Sequence, residues 1–106
     1  MDKSIKLSVL LLKENNTWVA QCLEHDIAAQ AKTIKDVKTA FEKTVTGQCF
    51  LDLQRGSDPL ASIGPAPGFY RPLFDSAEKL EYKFHLKWDE ERVAAIVDDF
   101  RVCLEY

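Results

Sequence analysis

Three strand-like segments follow one another in the first third of the chain, with only short polar turns between them. Residues 5–12 begin with alternating apolar and polar side chains and then become apolar on both faces, which is typical of a strand inside a sheet. Asn15 and Asn16 follow, and asparagine tolerates the positive φ of a hairpin turn. Residues 18–23 and 27–31 form two further strand-like segments. Strands joined this closely predict an antiparallel meander.

A helix is predicted directly after the meander. Thr33 is a suitable N-cap, and Asp36 lies three residues later, as in a capping box. The helix is expected to end near Leu53, because residues 55–59 (RGSDP) form a stop signal. Gly47 weakens the helix or marks a close packing contact. The apolar residues recur in steps of three and four, as one helix face requires: Ile34, Val37, Phe41, Val45 and Cys49.

The second half of the chain contains a connector and a C-terminal unit. Residues 55–75 hold all four prolines and three of the four glycines, which predicts an irregular connector with its aromatic side chains on apolar surface. Residues 82–88 alternate without a break and predict a fourth strand. A second helix is predicted from about Glu90, with Asp89 as its cap. Residues 100–106 also alternate between apolar and polar side chains, so this segment fits either a helix or a strand.

Together these segments predict a single α+β domain over residues 1–106. Its core would be residues 4–54, followed by the connector over 55–75 and a C-terminal strand and helix over 76–106. The sheet is expected to be antiparallel, with three or four strands and with the helices packed on one face.

Composition narrows the classes of function. The longest apolar stretch, Val9 to Leu12, is far shorter than the ~20 residues that span a bilayer, and no signal peptide is visible. A cytoplasmic protein without membrane contact is therefore expected. The three cysteines are far apart among apolar residues, which argues against a disulfide framework and a metal site. The net charge of −3 argues against a nucleic-acid footprint over the whole surface.

Three segments of the first sixty residues resemble the HicB-like antitoxin family: residues 18–33 (WVAQCLEHDIAAQAKT), 41–48 (FEKTVTGQ) and 55–60 (RGSDPL). The resemblance implies a β-β-β-α unit related to double-stranded-RNA-binding and degraded RNase H-like folds. Members of that family neutralise HicA-type toxins, which are small ribonucleases, by covering their active surface. Many also bind operator DNA through a C-terminal appendage. DNA binding is not carried over, because the region after Arg55 matches no such appendage. Ala31 stands where the family usually has glycine, so the positive φ of the family's bend is not carried over either.

The two histidines and one group of acids are the candidate catalytic residues. His25 lies between Glu24 and Asp26, where it could serve as a general base or a metal ligand. Neighbours in a turn point in different directions, however, and an exposed hairpin residue is the favoured interpretation. His85 lies on the polar face of its strand. Glu24, Asp26 and Asp36 fit a rim or capping role better than a metal site. The chain is therefore predicted not to be an enzyme and to need no cofactor.

Binding to a partner protein is the favoured function. The chain has more large rings than a small core easily encloses, although one core holding all of them is the alternative. Large rings are common anchors in interfaces. A HicB-like antitoxin-type or regulatory binding protein is expected, which self-associates as a homodimer or a larger oligomer and has a HicA-like toxin as a candidate partner. The candidate contact residues are Trp18, Phe69, Tyr70, Phe74 and Trp88.

Nucleic-acid binding is the competing hypothesis. Lys35 and Lys38 share a face of the first helix, and double-stranded-RNA binders use a basic helix end of this kind. Asp36 and Glu42 interrupt that basic surface. A third, weaker hypothesis is a metal-dependent nuclease around His25 and its acidic neighbours.

Overall fold

The protein is an α+β fold, which confirms the predicted class. The computed structural model describes residues 3–4, 7–80, 84–88 and 93–103. The first three long strands and the long helix follow the predicted β-β-β-α order. The elements are β1 (Lys3–Ser4), β2 (Leu7–Glu14), β3 (Thr17–Cys22), β4 (Ala28–Ala31), α1 (Ile34–Gln54), α2 (Tyr70–Ser76), β5 (Glu78–Leu80), β6 (Phe84–Trp88) and β7 (Val93–Cys103).

The β2–β3 hairpin forms where the asparagine pair predicts it. Asn15 and Asn16 have φ values of 48° and 64°, and Glu14 lies opposite Thr17. Positive φ at both central residues is the mark of a two-residue type I′ turn, whose twist matches that of the strands on either side. This turn sets the register of the hairpin.

The sheet formed by the described residues has more strands than the three or four expected. The described strands form one seven-stranded sheet in the order β1-β6-β7-β2-β3-β4, with β5 also paired to β7. The predicted antiparallel pairs β2–β3 and β3–β4 are present. The pair β2–β7 is parallel, however, so the sheet is mixed.

The predicted C-terminal helix is wrong over the described residues, because Val93–Cys103 forms the strand β7. This strand is paired on both sides, with β2 on one side and with β6 and β5 on the other. The apolar residues of this segment are also spaced as on one face of a helix, so its sequence pattern alone does not distinguish a strand from a helix. The alternating end of the chain is strand through Cys103, and residues 104–106 lie outside the described residues, as do Asp89 and Glu90.

Helix α1 agrees with its sequence signals at both ends. The Thr33 hydroxyl accepts a hydrogen bond from the Asp36 amide at 3.0 Å. At the other end, the Ser57 amide donates to the Asp52 carbonyl and the Gly56 amide to the Leu53 carbonyl, at 2.9 and 3.1 Å. These two bonds form a Schellman motif, and Gly56 has the positive φ of 76° that the motif requires.

The two helices lie on opposite faces of the sheet, not on one face as expected. Successive side chains of a strand point to opposite faces. Val9 and Leu11 of β2 pack with the buried stripe of α1, whereas Leu10 and Leu12 pack with Phe74 of α2. Helix α2 itself falls in the segment predicted as an irregular connector. The sheet is therefore covered on both faces over β2.

Candidate partner-binding site

The five rings proposed as partner contacts are not gathered in one place. Phe69 and Tyr70 are in contact at the start of α2, and Phe74 lies one turn further along that helix. Trp18 belongs to the core cluster on the α1 face of the sheet. Trp88 lies in β6 opposite Val93, and its side chain is outside the described part of the structure. Of the proposed contact residues, Phe69 and Tyr70 at the beginning of α2 remain as a candidate binding surface.

Phe74 is a core residue and not a contact residue. Its side chain is only 3% exposed and packs with Leu10 and Leu12 of β2. The Arg101 guanidinium lies over its ring, 4.5 Å from the centroid, and donates a hydrogen bond to the Phe74 carbonyl at 3.2 Å. A cation over an aromatic face is attracted by the ring quadrupole. Arg101 of β7 therefore fixes α2 to the sheet.

Phe69 and Tyr70 form an exposed pair, which we call the aromatic surface. Their ring centroids are 4.2 Å apart and the planes are tilted by 37°. Phe69 is 59% exposed, whereas Tyr70 is half-buried against the Leu10–Leu12 cluster. Rings with centroids this close are in direct van der Waals contact. Tyr70 thus supports Phe69 from the core side, and Phe69 presents a large apolar area to solvent.

Trp18 has a different environment. It is half-buried and packs against the α1 side of the core, on the face opposite Phe74. The Lys13 ammonium lies 5.9 Å from its ring centroid, within the range of a cation–π contact. These contacts account for Trp18 within the chain.

Main-chain hydrogen bonds attach the connector to the turn between β3 and β4. The Ala66 amide donates to the Leu23 carbonyl at 3.0 Å, and the Asp26 amide donates to the Gly64 carbonyl at 2.7 Å. The Nδ1 atom of His25 is 2.8 Å from the Ile63 carbonyl oxygen. Because a carbonyl oxygen only accepts hydrogen bonds, Nδ1 carries the proton in this contact. The connector thus passes from α1 around the end of the sheet to α2.

A buried carboxylate holds the beginning of the connector. Asp52 is 3% exposed, and its Oδ2 accepts a hydrogen bond from the Leu60 amide at 2.8 Å. Its Oδ1 accepts from Gln48 Nε2 at 3.0 Å. Leu60 is fully buried and has a positive φ of 65°. Asp52 could not be recognised from the sequence, since a lone acid near a helix end belongs to no motif.

The acids and the histidine proposed for catalysis have separate structural contacts. Glu24 Oε1 accepts from the Ser8 amide at 2.7 Å, and Asp26 Oδ1 accepts from Gln21 Nε2 at 3.0 Å. Asp36 lies in the first turn of α1. Within the described residues, no group of three or more histidine, cysteine, aspartate or glutamate side chains could hold a metal ion. The side chain of His85 lies outside the described part of the chain.

Two of the cysteines are buried free thiols. Burial, with a smaller contribution from the nearby Glu24 charge, raises the pKa of Cys22 from its usual value near 9 to about 12. Burial likewise raises the pKa of Cys49 to about 12, with a contribution from the Asp52 charge. Because the thiolate is the nucleophile and the metal ligand, both thiols are inert at neutral pH.

The lysines of the nucleic-acid hypothesis lie where the helical pattern puts them. Lys35 is exposed and Lys38 is half-buried, one turn apart near the start of α1, with Asp36 between them in sequence. Two exposed apolar residues were missed at the other end of α1, Phe50 at 55% and Leu51 at 45% exposure. The available signal was their position off the buried stripe of this helix.

The chain matches no protein-family model, no curated protein and no solved structure. Among the helices of the described residues, none is long and apolar enough to cross a membrane.

Proposed function

We propose that this protein is a HicB-like, non-catalytic binding protein that acts through protein–protein contacts as a homo-oligomer. The observation that carries the proposal is the aromatic surface, in which Phe69 is 59% exposed and held against Tyr70. A large ring in water is unfavourable until a partner covers it. Phe69 is the first ring that a partner would bury.

Helix α2 is held firmly on the sheet, and this favours binding through the aromatic surface. Phe74 fixes the helix in the core, and Arg101 bonds to the carbonyl at its end. A ring that is already ordered loses little conformational freedom on association, so more of its burial energy appears as affinity. Rigid aromatic residues of this kind are common among the few residues that dominate binding energy.

The partner class follows from the resemblance. The order β-β-β-α and the Thr33 cap of α1 agree with what the HicB-like family implies. The proposed partner is a HicA-type toxin, a small ribonuclease, and the site of action is the cytoplasm. Proteins that bind RNA carry basic surfaces, and the net charge of −3 on this chain favours association with such a surface.

Co-expression with a HicA-type toxin from the same genome tests the proposal. The wild-type chain is expected to restore growth, and Phe69→Ser is expected to lose this protection because it removes the exposed ring. Phe50→Ser is the matched control, since it removes an equally exposed phenylalanine from α1. Equal protection by both variants would contradict the role of the aromatic surface. Failure of the wild-type chain to protect would contradict the function.

The nucleic-acid hypothesis gives a different result. If Lys35 and Lys38 bind RNA, the affinity falls steeply with salt, and Lys35→Glu reduces it further. We expect RNA binding to be weak and unchanged in Lys35→Glu. Tight, salt-dependent binding that this variant abolishes would replace the proposal with the RNA-binding function.

A further inference from the structure

Strand β4 is an edge of the sheet, and its outward main-chain groups can be identified from the register. The Cys22 amide donates to the Ile27 carbonyl at 2.9 Å, and ladder bonds recur at every second residue of an antiparallel pair. Ala29, opposite Ala20, and Ala31, opposite Trp18, therefore face β3. The amide and carbonyl groups of Ala28 and Gln30 face away from the sheet. Among the described residues, no hydrogen bond to these outward groups is formed.

This edge lacks the features that normally prevent pairing with another strand. Exposed edges are usually protected by charges, prolines, bulges or a covering segment. Residues 28–31 (AAQA) contain no charge and no proline, and β4 pairs with β3 without a bulge. The connector covers the edge only beside Asp26, whose amide bonds to Gly64. From Ala28 onward the edge is uncovered by described residues.

We propose that β4 pairs antiparallel with β4 of a second copy of this chain, so that the two sheets form one continuous sheet. The inference deepens the proposed function, on whose self-association it rests. In the proposed register, Ala28 lies opposite the partner copy's Gln30, and Ala29 lies opposite the partner copy's Ala29. The outward groups of Ala28 and Gln30 then form two hydrogen-bonded pairs, with four main-chain hydrogen bonds related by the two-fold axis.

Charge at both ends of β4 supports this register. Neither residue lies in β4, but this register brings the side chain of Asp26, two residues before the strand, toward that of the partner copy's Lys32, one residue after it, and the two-fold axis repeats the pair. Both residues are exposed in the single chain. Opposite charges across antiparallel strands are favourable, whereas like charges are not. The strand is thus neutral in its centre and complementary to itself at its ends.

The neighbouring registers are less favourable. A shift of two residues in one direction would place Gln30 opposite the partner copy's Asp26, whose amide is already bonded to Gly64. A shift in the other direction would pair Ala28 with the partner copy's Lys32, which lies beyond β4 in the bend before α1. The register centred on Ala29 uses both outward residues and stays within the strand.

A cysteine at the two-fold axis tests the register. The Cα atoms of a directly opposite, non-hydrogen-bonded pair are ~4.5 Å apart, within the range that a disulfide spans. Ala29→Cys is therefore expected to form a disulfide-linked dimer on mild oxidation. Ala31→Cys is the matched control, because the two copies of residue 31 would be separated by four strand residues, ~13 Å. Oxidation of the wild-type chain under the same conditions shows whether the native cysteines form disulfide-linked dimers by themselves.

A proline at the edge tests the contact without a new thiol. Gln30→Pro removes an outward amide and leaves the ladder with β3 intact, since proline is tolerated at an edge when its nitrogen faces outward. Analytical ultracentrifugation of the wild-type chain should show the dimer. Gln30→Pro should raise the dissociation constant of the dimer at least about tenfold, because two main-chain hydrogen bonds are lost. Circular dichroism checks that the variant is folded.

Three results would overturn the inference: a wild-type chain that stays monomeric up to millimolar concentration, a dimer that Gln30→Pro leaves unchanged, or equal linkage of Ala29→Cys and Ala31→Cys. If the chain stays monomeric and β4 pairs instead with a strand of another protein, the inference is also wrong. Toxin neutralisation, measured separately, distinguishes the two proposals. A dimer with the predicted linkage that fails to neutralise any HicA-type toxin supports the β4 contact and contradicts the function.

Discussion

The Asp52 carboxylate of α1 accepts a hydrogen bond from the Leu60 amide at 2.8 Å and thereby fixes the first turn after the helix. Leu60 is fully buried although it has positive φ, a conformation that costs about 1 kcal/mol or more for a residue with a side chain. The buried carboxylate and the burial of the Leu60 side chain stabilise that conformation. The contact determines where the connector starts on its way to the aromatic surface.

Replacement of Asp52 by alanine is predicted to lower the free energy of unfolding by about 3 kcal/mol. The change leaves the buried Leu60 amide and the half-buried Gln48 side-chain amide without their acceptor, and an unpaired buried donor costs ~1–3 kcal/mol. Urea denaturation measures the loss. Asp58→Ala is the control, because Asp58 is an exposed acid in the same connector. Equal stability of the two variants would show that the Asp52 contact contributes nothing.

Of the two phenylalanines at α2, Phe74 is predicted to contribute to the stability of the fold and Phe69 to binding. Phe74→Ala empties a core site, since the residue is 3% exposed, and is expected to cost ~3–4 kcal/mol. Phe69→Ala removes a ring that is 59% exposed and is expected to change stability by less than ~0.5 kcal/mol. Thermal or urea unfolding of both variants makes the comparison. A large loss in Phe69→Ala would identify Phe69 as a folding residue and not as a contact.

Replacement by alanine is predicted to change stability in opposite directions at Gly47, inside α1, and at Gly56, just after its end. A Cβ at Gly47 would meet nothing within 4 Å, so Gly47→Ala should stabilise the chain by about 1 kcal/mol through helix propensity. Gly56 has a φ of 76°, so Gly56→Ala should destabilise it by about 1 kcal/mol. Unfolding curves of the two variants test this directly. Destabilisation by Gly47→Ala would contradict the open space around this position.

The buried thiols predict both a reactivity and a pH dependence. In a Cys103→Ser background, Cys22 and Cys49 should not react with a thiol reagent at pH 8 until the chain is unfolded. The pKa of each is raised from near 9 to about 12. Between these values the unfolded thiol has lost its proton and the folded one has not, so stability falls as pH rises from about 9 to about 12. Rapid labelling of the native protein would contradict the burial of both thiols.

Features with a local cause could be predicted from sequence. Two adjacent asparagines specify the type I′ hairpin, and the Thr33 hydroxyl caps the helix within three residues. The antiparallel pairs of the meander follow from such short connections. The end of α1 also has a local cause, because Gly56, the residue after the C-cap, adopts the positive φ that ends the helix.

Features that depend on distant partners could not be predicted. The segment Val93–Cys103 has an apolar pattern that fits a helix face, and only its pairing with β2 and β6 makes it a strand. The Asp52–Leu60 contact depends on how the connector folds back. Phe74 and Phe69 have the same side chain five residues apart, and only the position of α2 over β2 separates the core ring from the exposed one. Sequence alone therefore indicated five candidate rings, of which the structure leaves two on one surface.

Inhibition of a purified HicA-type ribonuclease tests the central claim most directly. RNA cleavage is measured at increasing concentrations of the wild-type chain, Phe69→Ser and Phe50→Ser. We predict stoichiometric inhibition by the wild-type chain and by Phe50→Ser, and an inhibition constant at least about tenfold weaker for Phe69→Ser, as expected for a central aromatic contact. Uninhibited cleavage at saturating wild-type chain would contradict the account.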